Sequence, residues 1–102
     1  MDMSKIMQQA QQFQQKMGQL QEELAAKSVT SSIGGGMVTA TMNGRQELLS
    51  IKIEKELIDP EDPDMLQDMV VSAINDVLQK TREMSQAEMS KLTGGINIPG
   101  LF

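Results

Sequence analysis

Apolar residues at the start of the chain recur at Met3, Ile6, Ala10, Phe13, Met17, Leu20 and Leu24, in steps of 3, 4, 3, 4, 3 and 4. A 3.5-residue period is the seam of a coiled coil rather than the wider apolar stripe of a globular helix. Gln8, Gln9, Gln11, Gln12, Gln14, Gln15, Gln19 and Gln21 fill most of the positions between. Glutamine is a good helix former that carries no charge. Residues 2–27 therefore read as one helix, with Asp2 or Ser4 as its cap. At 1.5 Å per residue such a helix is about 39 Å long. A compact domain of this size has a radius of gyration of about 13 Å, so part of the helix projects or lies along another long helix.

The period then changes to two. Val29, Thr30 and Ile33 precede Gly34-Gly35-Gly36, a turn between strands. Val38, Ala40 and Met42 alternate with Thr39 and Thr41, and Asn43-Gly44 is the strongest short hairpin signal. Arg45 to Glu54 returns, with Leu49, Ile51 and Ile53 on one face and Ser50 and Lys52 on the other. This predicts a three-stranded antiparallel meander with one apolar face. Asp62-Pro63 then suits an N-cap followed by proline at the first helical position, with Asp64 favourable to the dipole. A second helix is predicted over 63–92. Its first half is strongly apolar (Leu66, Met69, Val70, Ala73, Ile74, Val77) and covers the sheet; its second half thins among charges and projects. Gly94-Gly95 ends it, and 93–102 reads as a short apolar mobile tail. The chain is thus one α+β domain over 1–102 in the order α-β-β-β-α: an arm at 1–27, a sheet at 28–58 and a second helix at 63–92.

Composition narrows the chemistry. The chain has 102 residues, no His, Cys, Trp or Tyr, and two Phe. Cysteine-free sequence excludes disulfides, thiolate nucleophiles and zinc–thiolate sites, and histidine-free sequence removes the usual general base. Its Ser and Thr have only carboxylates or Lys to activate them, so no catalytic residue is assigned. Asp59, Glu61, Asp62 and Asp64 lack the spacing and central glycine of a calcium loop, and capping accounts for them. Gly34-Gly35-Gly36 lacks the Lys-Ser/Thr of a phosphate loop. No metal, cofactor or small-molecule substrate is expected. Val, Ile, Leu and Phe make up about a quarter of the chain and Met numbers 10, so the core is modest and sulfur-rich. The chain shows neither a long apolar run nor a signal-peptide pattern, which is consistent with a cytoplasmic protein.

The net charge is −5, from 9 Lys+Arg and 14 Asp+Glu, but the two signs are segregated. Acids crowd Asp59 to Asp76. Lys5, Lys16 and Lys27 recur every 11 residues along one side of the first helix, and Lys80, Arg82 and Lys91 lie in the late half of the second. These bases read either as ordinary solvated charges or as an anion-binding surface. The heptad seam likewise has three readings: burial within the chain, a helix pair across a homodimer, or a lipid-surface helix, the last weakened by its few basic residues.

Four segments resemble the YbaB/EbfC family of small bacterial nucleoid-associated proteins. They are Met7–Met17, the hairpin Val38–Gly44, Met69–Val77, and Met89–Gly95 leading to Ile98-Pro99-Gly100. The resemblance implies an intertwined homodimer whose sheets form the body and whose long helices project as tweezer-like arms. It also implies DNA binding without catalysis, at the nucleoid. It assigns DNA contact to the arms, hence to Lys5, Lys16, Lys80, Arg82 and Lys91, with Lys27 and Arg45 behind them. It assigns dimerisation to the middle, hence to Val38, Ala40, Met42, Leu49, Ile51 and Ile53. Where some relatives carry a basic residue, Gln8 stands here. So few cations predict weak, salt-sensitive binding, strengthened by avidity. The alternative is a protein–protein interaction module that uses the heptad helix and acidic surface without direct DNA contact.

Overall fold

A computed structural model describes residues 2–92; the expected tail over 93–102 lies outside them. Helix α1 spans Met3–Ala26, strands β1 Ser28–Ile33, β2 Val38–Asn43 and β3 Leu48–Ile53, and helix α2 Pro63–Leu92, with a short 3₁₀ turn at Lys55–Leu57. The order is the predicted α-β-β-β-α, and the sheet is antiparallel in the order β1-β2-β3.

The helix starts follow local chemistry. The Asp2 carboxylate accepts from the Ser4 N–H at 3.0 Å, which settles the cap of α1. The Asp62 carboxylate accepts from the Met65 N–H at 3.3 Å, and Pro63 opens α2. Gly34, Gly35 and Gly36 all take positive φ in the β1–β2 turn, a run only glycine makes without strain.

The sheet has two dissimilar faces. Val38, Ala40 and Met42 point to α2 and form the core with Leu57, Ala73 and Val77, all at most 6% exposed. Val29, Ile33, Ile51 and Ile53 pack half-buried around them. The other face is a hydroxyl ladder: Thr30 meets Thr41 at 3.2 Å and Ser32 meets Thr39 at 3.0 Å, cross-strand pairs in register. The early half of α2 covers β1 and β2, as its apolar composition predicts.

Two expectations are corrected. Leu49 does not join Ile51 and Ile53 on the inner face in regular register. Thr41 pairs with Ser50, but Met42 pairs with Leu48, so a β-bulge leaves Leu49 unpaired and more than half exposed. The β2–β3 connection is also not a two-residue Asn-Gly turn. It runs over four residues, with the positive φ at Gln46. The Asn43 side chain organises it: Oδ1 accepts from the N–H groups of Arg45 and Glu47, both at 3.0 Å, and Nδ2 donates to the Glu47 carboxylate at 2.9 Å.

Gly44 is needed for closeness rather than for φ. Its N–H donates to Leu24 O at 2.8 Å and Lys27 O at 3.1 Å, satisfying carbonyls left over at the end of α1. Its carbonyl accepts from the Ser85 hydroxyl of α2 at 2.8 Å. One residue thus ties α1, the β2–β3 loop and α2 together. Leu20 and Leu24 are buried at this junction, whereas Met3, Ile6 and Ala10 are exposed and Phe13 and Met17 are half-buried. At 1.5 Å per residue the 24 residues of α1 span about 36 Å, and the molecule measures 70 × 22 × 17 Å.

A Cβ at Gly44 would stand 2.6 Å from Leu24 O, a backbone atom, whereas one at Gly18 meets nothing within 4 Å. Gly44→Ala is expected to cost about 1–3 kcal/mol. Gly18→Ala should stabilise by about 0.5–1 kcal/mol, by replacing an exposed mid-helix glycine. Urea unfolding midpoints check both.

Candidate nucleic-acid interface

The exposed cations fall into two groups according to the acids beside them. Lys80 pairs with Asp76 at 3.1 Å, one turn apart on α2. Glu88 receives two lysines, Lys27 at 2.9 Å and Lys91 at 3.4 Å. Among the described residues, Lys5, Lys16, Arg45, Lys55 and Arg82 have no carboxylate within ion-pair distance. Lys5, Lys16 and Arg82 therefore present uncompensated charge, while Lys80 and Lys91 carry their own counterions.

The paired carboxylates are tuned accordingly. Hydrogen bonding from Lys27, reinforced by the charges of Lys27 and Lys91, holds Glu88 below the ordinary glutamate value against a smaller opposing effect of burial. Asp76 is lowered first by Lys80 and then by the Ser31 hydroxyl. Ser31 Oγ is buried and makes no hydrogen bond of good geometry. The Ser31 hydroxyl hydrogen can rotate toward the Asp76 carboxylate, which favours its charged form.

The five arm candidates do not form one surface. At 100° per residue, Lys80 and Lys91 point the same way on α2 and Arg82 points opposite to Lys91. Two grooves accordingly run along the two flanks of the contact between α1 and the late half of α2. One, about 260 Å³, brings Lys16 and Lys91 together with Glu23 and Glu88. The other, about 490 Å³, is lined by Arg45, Arg82, Gln21, Gln46 and Gln86 around the Gly44 junction, and no Asp or Glu lines it. Lys5 stands alone, 11 residues beyond Lys16 on the exposed length of α1. The family resemblance ranks Arg45, with Lys27, behind the arm residues. The signal that raises it is the spatial one, the return of β2–β3 to the end of α1.

The dimerisation candidates divide as well. Val38, Ala40 and Met42 are filled by α2 of their own chain. Ile51 and Ile53 are half-covered and Leu49 is exposed. Among the described residues no cluster of three or more Asp or Glu could hold a metal ion, and no helix is long and apolar enough to cross a membrane.

This sequence and fold recur in known proteins. Residues 1–96 match the YbaB/EbfC DNA-binding family, and the chain belongs to it. It is 56% identical over 95 residues to a nucleoid-associated protein of Syntrophobacter fumaroxidans, covering 93% of this chain and 86% of that one. A nucleoid-associated protein of Pelotomaculum thermopropionicum is 52% identical over 101 residues, covering 99% and 96%. The crystal structure of an uncharacterized protein from Helicobacter pylori superposes with a TM-score of 0.83 at 30% identity, covering 92% of this chain and 99% of that one. The shared fold confirms the α-β-β-β-α architecture.

The lowered Glu88 carboxyl fixes the sign of a pH effect. A depressed native value stabilises the fold above the unfolded glutamate range, and the contribution is lost as pH falls through the native value. Wild type should therefore exceed Glu88→Gln in stability near neutral pH, and the gap should close on acidification below the usual glutamate range. Urea titrations at a series of pH values read this difference.

Proposed function

We propose that the protein is a nucleoid-associated DNA-binding protein that acts as a homodimer in the cytoplasm, contacting duplex phosphates through its helical arms and influencing DNA organisation or expression. The observation that carries the reading is the state of α1. Lys5 and Lys16 are unpaired on a helix whose outer half is exposed, in a chain of a DNA-binding family.

Helical spacing separates the two tasks this asks of α1. The Lys5–Lys16 row lies about a quarter turn from the Met3–Leu24 seam. A partner helix can therefore cover the seam while the lysines still face outward. Exposed Met3 and Ile6 support a helical partner. Leu49 and the half-covered Ile51 and Ile53 at the edge strand β3 support a second contact between copies, and the small core of one protomer gains from both. The same exposed seam also favours the protein-interaction reading. A protein partner retained on the bait after nuclease treatment would support that reading over direct DNA contact.

Affinity comes mainly from phosphate neutralisation, and so from salt-sensitive counterion release. Two arms with few free cations each predict a slope of log K on log salt of about −3 to −5. In fluorescence anisotropy on a duplex, Lys5→Glu/Lys16→Glu should weaken binding at least tenfold at about 50 mM salt and flatten the slope. Light scattering should still show a dimer. Absence of wild-type binding at that salt would sink the DNA reading, and a monomer at tens of micromolar would sink the dimer.

A further inference from the structure

The larger groove differs from the rest of the surface in its charge. The chain carries an excess of acid, −5 overall, and the opposite groove mixes Lys16 and Lys91 with Glu23 and Glu88. The Arg45–Arg82 groove has two guanidinium groups and no lining carboxylate, and neither arginine has an acidic partner within ion-pair distance. Two unpaired like charges facing one space repel, and an anion between them removes that cost.

The loop is built to present them. Gly44 is buried against Leu24 with no room for a side chain, so the next residue, Arg45, emerges at the crook between the helices. Its N–H is fixed by Asn43 Oδ1 at 3.0 Å. The end of α1 would ordinarily offer partial negative charge here. Its Leu24 carbonyl is instead occupied by the N–H groups of Gly44 and Lys27, which lowers the electrostatic obstacle to an anion. The Ser85 hydroxyl is spent on the Gly44 carbonyl, but Gln21, Gln46 and Gln86 bring further amide donors.

We propose that this groove seats a backbone phosphate of duplex DNA, gripped jointly by Arg45 and Arg82. The proposal rests on the DNA-binding reading above and adds to it a fixed point at the base of the arms. Arginine suits the task because its planar fork meets phosphate oxygens two at a time. The groove is wide and open, suited to a phosphodiester that enters from the side as part of a polymer. The arm lysines on the far flank of α1 would track the duplex, while the crook holds one phosphate in place.

The test is a double-substitution cycle by anisotropy on a duplex of about 25 base pairs, with the full chain and at several salt concentrations. Arg45→Gln and Arg82→Gln should each weaken binding about tenfold, the size of one charge-assisted hydrogen-bonded contact. The double variant should be little weaker than either, because both act on one phosphate. Lys55→Gln, which removes an unpaired charge outside the groove, should stay within about twofold of wild type. Wild-type binding with unaffected arginine variants, fully multiplicative losses, or an equal loss in Lys55→Gln would each overturn the proposal while leaving the DNA reading intact. No wild-type binding would overturn both. An arm with inorganic phosphate alone, followed through the Gly44 and Arg45 amide resonances, should show no saturation below about 10 mM. Tight saturation there would assign the groove to free phosphate instead. Thermal melts of each variant confirm that the exposed arginines were removed from a folded chain.

Discussion

The backbone of Gly44 is the point on which the rest of the structure depends. Its N–H closes the end of α1 and its carbonyl takes the hydroxyl of α2. It does this from within a loop that Asn43 shapes through three hydrogen bonds. The apolar contribution beside it is small, chiefly Leu20 and Leu24. The sheet and the early half of α2 form a core of their own around Val38, Ala40 and Val77. Without the Gly44 junction, little else in the described chain would fix the direction in which α1 leaves that core. Polar bonds worth about 1 kcal/mol each thus decide orientation here, while aliphatic burial decides that the body folds at all.

The same junction distributes charge. Glu88 draws Lys27 and Lys91 onto itself, and Asp76 holds Lys80. Half of the cations that a linear reading places on the arms are therefore internally compensated. The free positive charge that remains is concentrated on one flank of α1 and in the crook, even though the molecule as a whole is acidic. Net charge is a poor guide to such a surface, because screening confines each charge's influence to about 10 Å at ordinary salt.

Much of the fold was legible in the chain because periodicity carried it. The 3-4 steps from Met3 to Leu24, the alternation through Val38 and Met42, and Asp62-Pro63 each mark an element that forms where expected. What was not legible involves contacts across sequence distance. Asn43-Gly44 reads as a tight turn because nothing local reveals that Leu24 O sits where a Cβ would go. Leu49 reads as an inner-face residue because a bulge shifts its strand without changing the alternation of types. Likewise Lys80, Arg82 and Lys91 share the late half of the second helix, yet Arg82 lines a different groove from Lys91, beside an arginine from a loop. Family likeness supplied the expectation of a dimer and of DNA contact; only packing in space separates compensated cations from free ones.

The proportions of α1 carry a mechanical consequence. Between its buried anchor at Leu20 and its first residue, Met3, lie 17 residue steps, a lever about 25 Å long. A rotation of about 10° at the anchor sweeps the tip through more than 4 Å, which exceeds the 3.4 Å axial rise from one phosphate to the next on a DNA strand. On the proposed DNA-binding reading, the angle held at a single glycine sets which phosphate the tip can reach, and stiffness at the root of the arm translates into register at its end.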